Sequence, residues 1–471
     1  MGQTGQYVIE LPRGWTPTKR VASTLHLVGF DGAPIPGKVS LDQGHWVLQT
    51  NCTESGRLAV CWPIPDRGEW LLLSGTLRPQ PQPYHLLTEL ARGTVSRLRN
   101  QLSFWQEGGL LLPNEVFEHT SQAIGFLADT VLSHGDRDAL SQQAIQSALA
   151  AIDVASRVFA NRVLPVRNSQ PNLPPVVMAI RGDAQRADWP VPAACWNLGR
   201  EPRDRLDPQS TVPILIGPLI DASPEGLAEP FRQFSSFEER RSAILKFAGQ
   251  LLRQLPTDVQ MIHAISGLNG TGHRWMSYPQ QLQLAVDLME LIDDACPGTE
   301  SMISFDSPWA ERLAWSVGGN SPLAIADTLL RRGLNITAFG LDIQLDYWPA
   351  GSLPRDPLQW LELVDLWAQL GLPLIINLCA PSPAPVRDDT SGDIAGPVRG
   401  SLSDDQLIQL LGIVLPLLVA RPAVSGICWS HLRDGDDPRF PLAGMMDEHN
   451  RPKRLFEAWQ QWRALVGAPA S

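Results

Sequence analysis

Lysine is nearly absent from this 471-residue chain: it occurs only at Lys19, Lys38, Lys246 and Lys453, and arginine supplies the rest of the 38 basic residues. Acidic residues number 49, and the resulting net charge of −11 argues against a nucleic-acid binder, which needs a basic face. The six cysteines, Cys52, Cys61, Cys195, Cys296, Cys379 and Cys428, include no CxxC pair and no metal-ligand spacing. Most sit in apolar runs, where a thiol behaves as a small hydrophobe. The even count leaves a single bridge such as Cys52–Cys61 open. No long hydrophobic run is present, since the most apolar stretch spans only Leu407 to Ala420, short of the roughly 20 residues a spanning helix needs. Met1–Glu10 has neither the basic nor the apolar region of a secretory signal, so a cytoplasmic protein without a membrane partner is expected. A Gly-rich phosphate fingerprint is also missing. No cofactor and no metal is expected.

What is present is ample core: 44% hydrophobic and 18% charged residues exclude global disorder. The length corresponds to two to four domains. With 38 glycines and 41 prolines, many turns and short connections are expected. Tryptophan is the outlier, with 16 residues against 13 Phe and 4 Tyr.

Residues 1–80 read as short strands, at Leu25–Val28, Val39–Leu41, Trp46–Thr50, Leu58–Val60 and Trp70–Leu73. They are separated by turn signals such as Asp31-Gly32, Pro36-Gly37 and Gln43-Gly44. That spacing predicts a small β-sandwich. Pro79-Gln80-Pro81-Gln82-Pro83 reads as a linker out of it. Residues 81–172 form a helical connecting region, where Leu140, Ala144, Ala148, Ile152, Ala155 and Phe159 recur on one helical face. Residues 173–471 alternate between strands and helices. Strands are expected at Val176–Ile180, Ala193–Trp196, Val212–Gly217, Val259–Ser266, Ser301–Asp306, Ile336–Asp342, Leu374–Ala380 and Val424–Ser430. Helix starts are readable at Ser277 with Pro279, at Ser321-Pro322, at Asp404 and at Arg451-Pro452. Eight strands with intervening helices is the count for an α/β fold of the (β/α)8 TIM-barrel type, with a doubly wound sheet as the competitor.

Active sites of barrels lie at the carboxyl ends of the strands. Those positions hold Asp221, Asn269, His273, Asp306, Trp309, Asp342, Gln344, Asp346, Trp348, Asn377, Trp429, His431 and Asp434. Acids and amides interleaved with Trp suit a carbohydrate, whose C–H faces pack on rings while its hydroxyls need polar partners. Asp306 and Asp342 stand out, because each ends an apolar strand where an acid has no packing role. His263 lies inside an apolar strand and reads as a core histidine. Asp434-Gly435-Asp436-Asp437 reads as a solvated turn, without the ligand spacing of a calcium loop.

Three stretches give the barrel half a resemblance to glycoside hydrolase family 10, the xylanase-type barrel. They are Ile336 to Asp342, Gly371 to Ile376, and Gly426-Ile427-Cys428-Trp429 with the later Met445-Met446-Asp447 and Arg451-Pro452-Lys453. Ser304-Phe305-Asp306 is similar to the end of that family's fifth strand. The resemblance covers about residues 210 to 465 and implies a glycan substrate. It also implies two glutamates, but the acid/base pair Asn-Glu falls on Ser266-Gly267 and the nucleophile on Leu378. A Gly and a Leu supply neither acid nor nucleophile, which makes the standard two-carboxylate mechanism unworkable here.

Two readings remain open. In the first the barrel is a non-catalytic, glycan-binding or structural protein. In the second it is a glycosidase whose carboxylates have moved to Asp306 and Asp342, with Asp221, Asp346 and Glu311 in reserve and Trp309, Trp348 and Trp429 as sugar platforms. The partners expected are a glycan, and a protein or a second copy docking through the N-terminal β-domain.

Overall fold

The computed structural model describes residues 4–42, 44–51, 53–132, 135–173, 175–181, 214–224, 226–255, 259–268, 275–314, 320–348, 351–382 and 402–467. The expected strand Ala193–Trp196 lies outside them. The N-terminal region comprises β1 (Gly5–Glu10), α1 (Lys19–Thr24), β2 (His26–Val28), β3 (Pro34–Ile35), β4 (Gly37–Asp42), β5 (His45–Thr50), β6 (Gly56–Ile64), β7 (Gly68–Leu77) and β8 (Gln80–His85). These strands form two four-stranded sheets, ordered β4-β5-β1-β8 and β3-β2-β6-β7. Trp15 joins the two, its ring centroid 5.7 Å from Trp46 of one sheet and 4.8 Å from Trp62 of the other. Trp46, Trp62 and Trp70 are buried, so they are packing residues and present no exposed aromatic face. Cys61 is buried in this region, and Cys52 lies outside the described residues.

The Pro-rich stretch expected as a linker is instead β8, which pairs in parallel with β1 at the edge of its sheet. An edge strand tolerates Pro81 and Pro83 because one side of its backbone has no ladder to complete. Three helices follow: α2 (Leu86–Glu107), α3 (Asn114–Leu132) and α4 (Arg137–Asn168). Asp136 caps α4 by accepting from the Asp138 and Ala139 amides. The face predicted for α4 is the buried one at Ala144, Ala148, Ile152 and Ala155.

The second half comprises β9 (Val177–Ile180), β10 (Ile214–Ile216), β11 (Ile220–Asp221), α5 (Glu229–Arg232), α6 (Phe237–Leu252), β12 (Val259–Ser266), α7 (Tyr278–Ala295), β13 (Glu300–Asp306), α8 (Pro322–Arg331), β14 (Ala338–Gln344), α9 (Pro357–Ala368), β15 (Leu374–Cys379), α10 (Asp404–Val419), β16 (Val424–Trp429) and α11 (Arg454–Gly467). The helix starts follow the sequence signals. Ser236, Ser277 and Ser403 each form a capping box, and Pro279, Pro322 and Pro357 occupy first turns.

All strand pairings in this half are parallel, in the order β10-β12-β13-β14-β15-β16-β9, with β11 continuing alongside β12. The first strand therefore lies beside the last, as when a sheet curls round into a TIM-barrel-like fold. Inside, one apolar layer consists of Ala179, Leu215, Met261, Met302, Ala338, Ile375 and Cys428. Because side chains alternate along a strand, residues two further on from these also point inward.

The two halves are locked by a buried ion pair. Arg97 of α2 donates to both carboxylate oxygens of Asp356, at 3.2 and 2.9 Å. Asp356 also caps α9 through the Leu358 and Gln359 amides, while Gln359 Nε2 donates to it and to the Leu71 carbonyl of β7. Burial would raise the Asp356 carboxyl, but Arg97 outweighs that and holds it below its usual range. Removing one partner strands the other charge in the interior. Asp356→Ala is expected to cost roughly 3–5 kcal/mol in urea unfolding. Arg97→Met with Asp356→Asn should recover part of that loss, since Asn keeps the cap. An unchanged midpoint for Asp356→Ala would show that the pair does not hold the halves together.

Candidate functional site

The strand ends gather a polar layer directly above the apolar one. Register is the cause: Asp306 of β13 lies opposite Asp342 of β14, and Asp342 lies opposite Asn377 of β15. Neighbouring strands are about 4.8 Å apart, so these three groups share one level of the barrel. Below them a chain of hydrogen bonds runs from His263 Nε2 to Ser304 Oγ at 2.9 Å, and from the Ser304 hydroxyl to Asp342 Oδ2 at 2.5 Å. Asn377 Nδ2 donates to the other oxygen, Asp342 Oδ1, at 2.6 Å. Gly340 makes this convergence possible. A Cβ there would lie 2.5 Å from Ser304 Cβ, 2.7 Å from Met302 Cε and 3.2 Å from Asn377 Nδ2.

Burial, and next the charge of Asp306, raise the Asp342 pKa to about 6 against the hydrogen bonds from Ser304 and Asn377. Asp306 is likewise raised, by burial first and also by the charge of Asp221, with Arg312 opposing. Gln344 Nε2 donates to Asp306 Oδ1 at 3.3 Å, and Arg312 lies 3.8 Å from Oδ2. Both amides thus turn their NH2 groups to carboxylates. Their carbonyl oxygens, Gln344 Oε1 and Asn377 Oδ1, are buried without a hydrogen-bond partner among the described residues. Buried acceptors left unpaired are costly, and a donor brought to them would relieve that cost.

A second group closes the layer. Arg439 bridges Asp221, at 2.9 Å, and Asp437, at 2.6 Å. Burial would raise Asp437, but the hydrogen bonds and charge of Arg439 hold it low. His431 lies beside Phe440, and burial pushes its imidazole down to about 4 against the pull of Asp437. His263 is held well below the ordinary histidine value, again by burial, and is neutral.

Asp221, Asp306, Asp342, Gln344 and Asn377 therefore share the barrel mouth, with His431 near Asp437. Asn269 and His273 lie outside the described residues. The tryptophans are elsewhere. Trp429 is buried, donates to the Ala443 carbonyl and packs edge-on against Trp459. Trp348 is buried against Ala59, Cys61 and Leu71 of the N-terminal region, its Nε1 3.4 Å from Ser23 Oγ. Trp309 lies under the Arg355 guanidinium and lines a groove of about 560 Å³ with Phe30, Gly32 and Gln359. Glu311 pairs with Arg355 on that side, away from the acids. Asp346 accepts from the Leu402 amide and anchors the entry to α10. Asp434, expected in a solvated turn, instead holds the buried Lys453 at 2.6 Å and the Gly444 amide.

Four mouth residues escaped the sequence reading: Ser304, Arg312, Arg439 and Arg181. Ser304 was readable in principle, two residues before Asp306 on the same face. The arginines carry no local signal. Gly267 has positive φ, and a Cβ there would lie 2.5 Å from the Ser223 amide nitrogen and 2.9 Å from Asp221 Oδ1. Leu378 is fully buried between Ile343 and Trp429. Among the described residues no group of three or more His, Cys, Asp or Glu could hold a metal ion, and no helix is long and apolar enough to cross a membrane.

No family profile matches the chain, and no curated protein matches it. Among solved structures it is similar to xylanase 10B from Thermotoga maritima, at 12% identity and a TM-score of 0.43 over 64% of this chain and 98% of that one. It is also similar to a family-10 endoxylanase from a sugarcane soil metagenome, at 11% and 0.44 over 61% and 97%. An intracellular xylanase from Thermoanaerobacterium saccharolyticum, solved with xylotriose, gives 12% and 0.42 over 62% and 99%. At these values the likeness carries no inference about residues or substrates.

A carboxyl with a raised folded pKa keeps its proton over a window where the unfolded chain has lost it. Its stabilising contribution is complete below the unfolded value near 3.8 and is lost as pH rises through about 6. Relative to wild type, Asp342→Asn is therefore expected to gain stability between about pH 4 and pH 6, by roughly 1–3 kcal/mol in urea unfolding. A difference that does not change with pH would contradict the buried, proton-holding Asp342.

Proposed function

We propose that this chain is a glycoside-hydrolase-like barrel that binds a glycan at the carboxyl ends of its strands without cleaving it by a two-glutamate route. The observation that carries this reading is the pair of buried, unpartnered carbonyl oxygens on Gln344 and Asn377, set beside Asp306 and Asp342. Sugar hydroxyls are the donors such acceptors lack, and the carboxylates offer further acceptors at the same level. The resemblance noted in the sequence puts the two family glutamates at Gly267 and Leu378. A side chain at Gly267 would clash with backbone, and Leu378 is fully buried in core, where an unpaired carboxylate is costly.

A second reading has specific support. Asp306 and Asp342 face each other across adjacent strands, and both carboxyls are raised. The strand spacing of about 4.8 Å is near the roughly 5–5.5 Å that a retaining glycosidase needs between its two carboxyls. Against it, both oxygens of Asp342 are occupied by donors, and both acids stand side by side on one wall of the barrel. Binding without turnover is the better-supported conclusion.

Reducing-end release from a panel of β-linked polysaccharides, wild type beside Asp342→Asn, tests the choice. No release by either protein, together with calorimetric binding of oligosaccharides weakened about tenfold in Gln344→Ala, is the expected outcome. Release by wild type that is lost in Asp342→Asn would establish the relocated-carboxylate enzyme instead.

A further inference from the structure

One arginine at the barrel mouth forms no ion pair among the described residues, although its charge acts on Asp342. Arg181 directly follows β9, and its backbone N–H donates to the Trp429 carbonyl at 2.8 Å, which continues the β9–β16 ladder by one residue. Ala179 belongs to the inward apolar layer, so the alternation of the strand also turns Arg181 inward, one level higher. Its charge acts on Asp342, His263, Cys379, Cys428 and His431, all groups of the barrel interior and mouth. The other mouth arginines are matched: Arg312 by Asp306, and Arg439 by Asp221 and Asp437. Arg181 makes no ion pair among the described residues, and its Nε is buried without a hydrogen-bond partner among them.

Arg181 is half-buried, its Nε is out of water without an acceptor, and the parallel N–H donors of a guanidinium fit a carboxylate. The same mouth presents two unpaired acceptors, Asn377 Oδ1 and Gln344 Oε1. From β9 to β15 is two strand spacings, about 10 Å at the backbone, and to β14 three, about 14 Å, both less between side chains that converge on the barrel axis. One or two sugar rings span those gaps. A ligand that satisfies all three atoms carries a carboxylate at one end and hydroxyls at the other.

We propose that Arg181 is the receptor for a carboxylate on the bound glycan, so that the ligand of this barrel is a uronic-acid-bearing oligosaccharide and not a neutral one. This rests on the mouth being a glycan site and adds the chemical class of the glycan.

The test is calorimetry on the full chain with two matched pairs of probes. One is xylo-oligosaccharides with and without a glucuronic acid branch, and the other is oligogalacturonides beside their methyl esters. Wild type, Arg181→Met and Arg181→Lys are compared, with thermal melts to confirm that each variant is folded. The acidic probe is expected to bind wild type at least about tenfold more tightly than its neutral partner. Arg181→Met should bring the acidic and neutral affinities together, while Arg181→Lys keeps part of the difference. Equal binding of acid and ester by wild type, or a preference that survives in Arg181→Met, would overturn the inference. Glutarate, a carboxylate without hydroxyls, separates the two levels. Arg181-dependent glutarate binding with no sugar binding would overturn the glycan reading and leave the carboxylate receptor standing. No binding of any probe would overturn both.

Discussion

The register of three neighbouring strands is the constraint on which the site depends. Parallel pairing of β13, β14 and β15 sets Asp306, Asp342 and Asn377 level with one another. A slip of one residue in β14 would turn Asp342 out of the barrel and bring Leu341 in. The apolar layer below holds the register, because Met302, Ala338 and Ile375 must share the floor. Gly340 then leaves the space in which Ser304, Asp342 and Asn377 meet. Packing and site are therefore one arrangement, with the hydrophobic floor fixing the height at which the acids stand.

The chain handles buried charge in two ways. In the lock between its halves the opposite charges meet directly, Arg97 with Asp356, while Asp356 also accepts from two amides and Gln359, and Gln359 donates to Leu71; only Arg97 Nε of this group is buried without a partner among the described residues. At the mouth the answers are incomplete. Two amide oxygens lack partners among the described residues, and two neighbouring carboxyls hold protons more tightly than free ones. A satisfied network fixes structure, whereas an unsatisfied one at strand ends marks a place prepared for something else.

Much of this was legible in the sequence, for definite reasons. An apolar run that meets an acid marks the carboxyl-terminal part of a strand and its direction, which singles out Asp306 and Asp342, while Asn377 is read only from its place on the seventh strand. Serine or proline at helix starts locates α7 and α8, and Asp404 locates α10, within a residue or two. Tryptophan was misleading because its abundance carries no direction: Trp348 packs on residues nearly three hundred positions earlier, and Trp429 on the last helix. The strand β8 was hidden by its prolines, which read as a linker until the edge position is known. Arg439 and Arg181 are invisible because what matters about them is what they meet or fail to meet across the barrel mouth, and spacing along the chain does not encode that.

The central claim is that the polar layer at the strand ends is the binding site. Hydrogen–deuterium exchange with and without a bound oligosaccharide tests it most directly. The account predicts protection concentrated at the ends of β13, β14 and β15, around Asp306, Asp342 to Gln344 and Asn377. Protection confined to the groove between Phe30 and Trp309, with the strand ends unchanged, would contradict it.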